Sequence, residues 1–151
     1  YFHSMVTSVT ALTNLVLPGM CNRGWGRVIT STSSGVVAPI PNLAISNALR
    51  LALVGWSKTL AKEVASSGVT VNIVLPGRIA TKRIEQLDEA RAKREQRAVQ
   101  DVVKASTESI PAGRYGRPQE YGDTVAFLAS EAASYITGSV VRVDGGLIAN
   151  I

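Results

Sequence analysis

The chain has 151 residues, 46% hydrophobic and 18% charged, which excludes a disordered segment and suffices for one globular domain with its own core. Its formal charge of +5 sits wholly in residues 1–62, which carry Arg23, Arg27, Arg50, Lys58 and Lys62 but no Asp or Glu, whereas residues 63–151 balance eleven cations against eleven anions. Those five cations are spread over three predicted elements and only 5% of residues are aromatic, so no nucleic-acid partner is expected. Loss of an acidic partner segment accounts for the imbalance equally well.

Residues 1–20 read as a helix with Val6, Val9, Leu12 or Thr13, Val16 and Met20 along one side. It opens with neither an initiator Met nor a cap, which suggests a start inside an element. The apolar run to residue 22 raises a membrane or export segment. Thr7, Ser8, Thr10, Thr13, Asn14 and Pro18 interrupt it and no positive stretch precedes it, so a soluble, cytoplasmic protein without a membrane partner is expected. Cys21, the one cysteine, cannot form an internal disulfide and suits a reducing compartment. His3 stands alone, so no metal site is expected.

Gly24-Trp25-Gly26 turns the chain into a β-branched strand, Arg27–Thr30, which Ser31-Thr32-Ser33-Ser34-Gly35 stops with hydroxyls and a glycine. Hydroxyls at the carboxyl end of a strand in an open α/β sheet can address a ligand; they also serve as turn residues bonding their own backbone. After Pro39 and Pro41, Asn42 is a plausible N-cap for a helix running to about Ala65. Leu49, Leu53, Trp56 and Leu60 form its apolar stripe, and Ala48, Ala52, Gly55 and Thr59 form a small-residue stripe, so burial on two faces is expected. The same helix carries Ser46 and Arg50 on one face.

Ser67-Gly68 closes that helix, and Val69–Leu75 is a second apolar strand ending at Pro76-Gly77. Strand, helix and strand with short links make a βαβ unit with parallel, doubly covered strands. A glycine turn and a hydroxyl follow at Pro76–Thr81. Residues 84–107 alternate charge with Leu87, Ala90, Ala98, Val102, Val103 and Ala105, the pattern of one or two amphipathic helices that either cover a site or face solvent. Pro118 opens a helix to Ser130, and Val140–Val143 is the last strand, closed by Asp144-Gly145-Gly146.

Gly26–Ser33 (GRVITSTS), Val71–Thr81 (VNIVLPGRIAT), Arg114–Glu120 (RYGRPQE), Ala126–Ser130 (AFLAS), Tyr135–Gly138 (YITG) and Val143–Gly146 (VDGG) together resemble the short-chain dehydrogenase/reductases, especially those similar to 3-oxoacyl-carrier-protein reductases. The resemblance implies an α/β fold, the carboxyl-terminal portion of a Rossmann-like doubly wound parallel sheet, with the family's fifth to seventh strands and flanking helices. Residues 1–151 would be that part of a single domain, and 82–112 its substrate-lid helices. No glycine-rich pyrophosphate turn occurs here. Without a fourth strand, the strand at 27–30 would be an open edge.

The resemblance also implies a site. Catalysis in the family uses a serine that orients the carbonyl, a tyrosine acid or base, a lysine four residues on, and an asparagine. Ser33 falls at the serine position, Ser46 where the tyrosine is expected, Arg50 where the lysine is expected, and Met5 near the asparagine. Cofactor contacts are implied for Arg50 and for Pro76, Gly77, Ile79 and Thr81. The implied cofactor is NAD or NADP, and the implied partner a small-molecule carbonyl or alcohol. A serine lacks the phenol that brings a hydroxyl pKa near 10, and a guanidinium stays charged and cannot relay a proton. Reduced or altered hydride-transfer activity, a catalytically inactive binding or assembly protein, and a truncated remnant are therefore the three readings. Tyr115, Tyr121 and Tyr135 lie in segments that pack away from the family's site and receive no role. Helices 1–22 and 43–65 imply a homodimer or homotetramer, with Val140–Asn150 adding a second contact.

Overall fold

Val69–Pro76 is the axis of the molecule, strand β2, and every residue in it but Pro76 is buried. The computed structural model describes residues 1–149 and places β2 between β1 (Gly26–Ser31) and β3 (Val140–Val143), all parallel. Register runs from Gly26 opposite Val69 to Ser31 opposite Val74, and from Ile73 opposite Val140 to Pro76 opposite Val143. A run of mostly β-branched residues suits a strand covered on both faces. Asn72 is fully buried yet satisfied: its Nδ2 donates to the Ile136 carbonyl at 2.7 Å and its Oδ1 accepts from Ser139 N at 3.1 Å. The amide thereby ties the approach to β3 onto the sheet.

One face of the sheet is covered by helix α2 (Ala44–Val64) and helix α1 (Ser8–Asn22), with Val28, Leu60, Ala61, Val64, Val69 and Val71 forming a core against Leu17, Met20, Cys21 and Trp56. The other face is covered by helix α5 (Pro118–Ala129), through Leu128 against Val74 and Ala133. Helices α3 (Lys82–Glu95) and α4 (Val99–Glu108) follow β2 as two elements, separated where Gln96 adopts left-handed φ 52°. The parallel βαβ unit and the last strand stand as the sequence implies.

Three local expectations are corrected. Asn42 is not the N-cap of α2: it has φ 65°, in a left-handed turn that asparagine tolerates, and Leu43 occupies the cap without a side-chain bond. The first helix opens with a π-helical turn over His3–Thr7; of the alternatives Leu12 and Thr13 it is Thr13 that is buried, whereas Val16, expected on the same side, is 43% exposed. Thr13 tolerates burial because its hydroxyl donates to the Val9 carbonyl at 2.9 Å. The small-residue stripe of α2, Ala48, Ala52, Gly55 and Thr59, is exposed, so only one of its two expected faces is covered by described residues.

The segment His3–Asn22 is long and apolar enough, at mean hydropathy 1.3, to cross a membrane by length and composition. In this fold its inner side, Leu17, Met20 and Cys21, packs on the sheet core, while Leu12, Leu15 and Val16 face outward. The 1–151 domain bounds and the Val140–Asn150 contact surface end beyond the described residues.

Candidate functional site

The first two turns of α2 bring two of the sequence-implied groups, Ser46 and Arg50, together beside the carboxyl end of β1. Arg50 reaches from α2 with Nε donating to Ser46 Oγ at 3.3 Å, one helical turn back, and Nη1 donating to the Thr32 carbonyl at 3.3 Å just past β1. The guanidinium thus ties the helix to the strand end. Both side chains are half-buried, and among the described residues no carboxylate pairs with Arg50.

Ser33, one residue beyond Thr32, is extended at φ −158° and caps a 3-10 turn over Ser34–Val36, its Oγ accepting from Gly35 N at 3.2 Å. Gly35 has no room for a side chain, because a Cβ there would run into Asn47 Oδ1. Asn47 is itself held, its Nδ2 donating to the Ile40 carbonyl at 3.0 Å. The hydroxyl-rich turn is therefore both a self-bonded turn and the platform that meets Arg50. The Thr32 hydroxyl is buried with no hydrogen-bond partner among the described residues.

Gly77 follows β2 where its N donates to the Val143 carbonyl at 2.9 Å, and an added Cβ would come 2.6 Å from Asp144 Cα. Ile79 makes a parallel bridge with Gly116, whose carbonyl accepts from Ala80 N at 2.8 Å. Thr81 caps α3 with an exposed side chain that makes no capping bond. Pro76, Gly77 and Ile79 are half-buried at the strand end. Met5 lies in the π-helical turn, which packs against α2.

Two side-chain networks escaped the sequence reading. Asp88, on α3 and only 2% exposed, accepts from Arg78 Nη1 at 3.1 Å and from the Tyr115 hydroxyl at 2.6 Å. Burial first, then the hydrogen bond to Asp88, pushes the Tyr115 hydroxyl pKa above its ordinary value. This network fastens α3 to the turn that follows β2. Tyr121 places its hydroxyl 2.7 Å from Ser31 Oγ and 3.3 Å from the Val74 carbonyl, pinning the ends of β1 and β2 from the opposite face. Burial raises the Tyr121 pKa and Ser31 lowers it. Tyr135 is fully exposed. An aspartate at an interior position of an otherwise amphipathic helix was the one available signal for the first network; nothing in the sequence marks the second.

Two recesses adjoin these elements. One, of about 290 Å³, lies at the ends of β2 and β3 among Arg78, Ile79, Arg114, Glu120 and Asp144. There Arg114 grips Glu120 at 2.7 and 2.9 Å and holds its carboxyl far below the usual range, at about 2, with help from Arg117 N. The other, of about 480 Å³, is apolar and lies beside the first turns of α2, among Val37, Ile40, Ala44, Asn47 and Leu51. Ser46 sits in sequence between two of its lining residues.

Comparison with known proteins places the chain in a family. A family model described as enoyl-(acyl carrier protein) reductase matches residues 1–148. Nodulation protein G of Azospirillum brasilense is 40% identical over 142 residues, covering 94% of this chain and 53% of that protein. The 3-oxoacyl-[acyl-carrier-protein] reductase FabG of Vibrio cholerae is 41% identical over 144 residues, covering 94% and 54%. The solved structure of L-sorbose reductase from Gluconobacter frateurii, complexed with NADPH and L-sorbose, matches with TM-score 0.91 and 31% identity, covering 100% of this chain and 58% of that one. The chain spans about half the length of the curated relatives it matches. With its parallel sheet, its serine-bearing strand end and its proline-glycine turn after β2, the chain belongs to the short-chain dehydrogenase/reductase family.

Proposed function

We propose that the protein carrying this chain is an NAD(P)-dependent oxidoreductase that interconverts a small carbonyl compound and its alcohol, using Ser33, Ser46 and Arg50. The observation that carries the proposal is the contact of Arg50 with both Ser46 and the Thr32 carbonyl. Arg50 Nε donates to Ser46 Oγ, which leaves the Ser46 hydroxyl proton to be given to a substrate oxygen. The same guanidinium stabilises negative charge that develops on Oγ as the proton leaves. Ser33 supplies a second hydroxyl at the strand end to orient the carbonyl.

The residues present fit the nicotinamide end of a dinucleotide. Arg50 has donors beyond the two in use, Thr81 is exposed, and the buried Thr32 hydroxyl has no hydrogen-bond partner among the described residues. Arg50, Pro76, Gly77, Ile79 and Thr81 would hold that end. When bound, the cofactor supplies the hydride. NADPH in the L-sorbose reductase structure supports the cofactor class; the choice between NAD and NADP stays open, because the residues that read the 2′-position follow a glycine-rich turn not found among the described residues. Helices α3 and α4 act as the lid over the site, fastened by Asp88 to Arg78. The lone unpaired Cys21 supports a reducing, cytoplasmic setting, and the partner is a small molecule.

The test is titration of the purified protein with NADPH and NADH, followed by turnover on a panel of ketones. Ser46→Ala is expected to keep cofactor affinity and lower kcat by about a hundredfold, the scale of general-acid catalysis. Binding of neither cofactor would sink the proposal. Cofactor binding with no turnover in the wild type, and none after Ser46→Tyr with Arg50→Lys, would favour a non-catalytic binding or assembly protein.

A further inference from the structure

We propose that Asp88 is a positioning residue for the cofactor: by sharing one carboxylate between Arg78 and Tyr115 it fixes the turn Arg78–Thr81 to helix α3, so that the lid and the turn that takes the nicotinamide end move as one body. The cofactor part rests on the proposed oxidoreductase reading, while the linkage of α3 to the turn stands on the contacts of Asp88 alone.

Three segments of the chain close a ring here. Asp88 Oδ1 accepts from Arg78 Nη1 at 3.1 Å, and Oδ2 accepts from the Tyr115 hydroxyl at 2.6 Å. Next to Tyr115, Gly116 N donates to the Arg78 carbonyl at 2.9 Å, and the Gly116 carbonyl accepts from Ala80 N at 2.8 Å. The ring therefore runs from the Arg78 side chain to Asp88, across to Tyr115, along the chain to Gly116 and back to the Arg78 backbone. Ile79, inside the turn, packs so closely on this ring that a Cβ at Gly116 would come 2.8 Å from its Cδ1. The far side is anchored: Arg114, beside Tyr115, grips Glu120 in the first turn of α5, and α5 packs on the sheet through Leu128.

Burial makes the carboxylate hold both partners together. Asp88 is buried, and a buried carboxylate that loses a charge-assisted partner is left as an unpaired anion out of water. Helix α3 cannot shift away from the turn without stranding it. Asp88 lies about two helical turns beyond Thr81, so the contact fixes the direction of the helix and not only its first turn. Conversely, Ile79 and Thr81 keep their places only while α3 is seated. Reacting groups are sensitive to displacements of about 1 Å, so a residue that touches neither cofactor nor substrate controls the site through this turn.

The experiment measures amide hydrogen exchange residue by residue in the whole protein, with and without NADPH, for the wild type, Asp88→Asn, Tyr115→Phe and the two changes combined. Asp88→Asn keeps an acceptor for Tyr115 but loses the charge that holds Arg78. Tyr115→Phe keeps the Arg78 pair, which provides a folded variant where loss of the charge is too costly. The amides of Ala80 and Gly116 report the turn; that of Ile73, which donates to the Ser139 carbonyl at 2.9 Å in the sheet, reports unfolding of the whole domain. Each single change is expected to speed exchange at Ala80 and Gly116 at least about tenfold more than at Ile73, the scale of one lost charge-assisted bond. The combined change is expected to add little, because a ring already cut is open. NADPH is expected to slow exchange in the turn and α3 together in the wild type and to bind about tenfold more weakly to Asp88→Asn. The value of kcat at saturating NADPH is expected to change less, because Ser33, Ser46 and Arg50 are untouched. Parallel acceleration at all three amides, or none, overturns the linkage. Acceleration at the turn with unchanged NADPH affinity overturns the cofactor role. A wild type that binds no NADPH overturns the oxidoreductase reading and the cofactor role with it, while local acceleration at Ala80 and Gly116 still upholds the linkage.

Discussion

At the scale of single residues, the site is organised by a cation that satisfies two neutral acceptors. Arg50 cannot play the part of a lysine by charge alone, because its planar fork fixes where each donor points. Arg50→Lys is therefore expected to keep the charge but lose the simultaneous contact with Ser46 and the Thr32 carbonyl, lowering kcat more than it weakens cofactor binding. Separate measurement of kcat and of NADPH affinity checks this. Asp88 poses the complementary problem of a buried anion, since its two oxygens are each used by one partner, Arg78 and Tyr115. Asp88→Ala removes both contacts and is expected to cost about 2–3 kcal/mol in urea unfolding, below the cost for a fully buried pair because Arg78 is 30% exposed. Asp88→Asn, which still accepts from Tyr115, is expected to cost less.

At the scale of elements, two contrasting ends hold the helices in place. The start of α5 depends on charge: Glu120 accepts from Arg117 N at 2.7 Å while Arg114 grips its carboxylate. Arg114 first and the Arg117 amide second lower the Glu120 pKa from 4.5 to about 2. A depressed carboxylate contributes stability above its unfolded pKa, and that contribution is lost as the pH falls from about 4.5 toward 2. Urea midpoints measured across that window are expected to fall more steeply for the wild type than for Glu120→Gln. The last turns of α2 depend instead on burial. Leu60, 7% exposed in the core beneath β1 and β2, is expected to cost about 2–5 kcal/mol when changed to Ala, with an unchanged slope of unfolding free energy on urea.

At the scale of the whole molecule, the outer faces of α1 and α2 expose large apolar side chains. Leu12, Leu15 and Val16 on α1 and Ile45 and Leu51 on α2 are between 43% and 80% exposed, beside the open small-residue stripe Ala48, Ala52, Gly55 and Thr59. Exposed apolar side chains on two helices suit an interaction site, and the proposal is that paired copies of these two helices form a homodimer or homotetramer. Leu15→Glu combined with Leu51→Glu is expected to lower the assembly state in sedimentation while leaving far-ultraviolet circular dichroism unchanged. Strand β1 adds a further open surface, since among the described residues it pairs only with β2.

The sequence by itself determined the order of the elements, the parallel pairing around Val69–Pro76 and the family. These follow from local pattern: β-branched runs, helical spacing, glycine and proline punctuation, and short motifs. Sequence did not determine which of Leu12 and Thr13 turns inward, that Asn42 lies in a left-handed turn, or that α2 has one covered face, because each depends on what packs against the element. Nor did it bring Asp88 to Arg78 and Tyr115, or Tyr121 to Ser31. Those partners are 10 to 90 residues apart, and the pairing is made only when the helices fold over the strand ends. The site shows the same division. The family resemblance names Ser46 and Arg50 as candidates, but only the tertiary structure decides that the guanidinium bridges helix and strand through two neutral acceptors, since donor geometry is set by the surrounding fold.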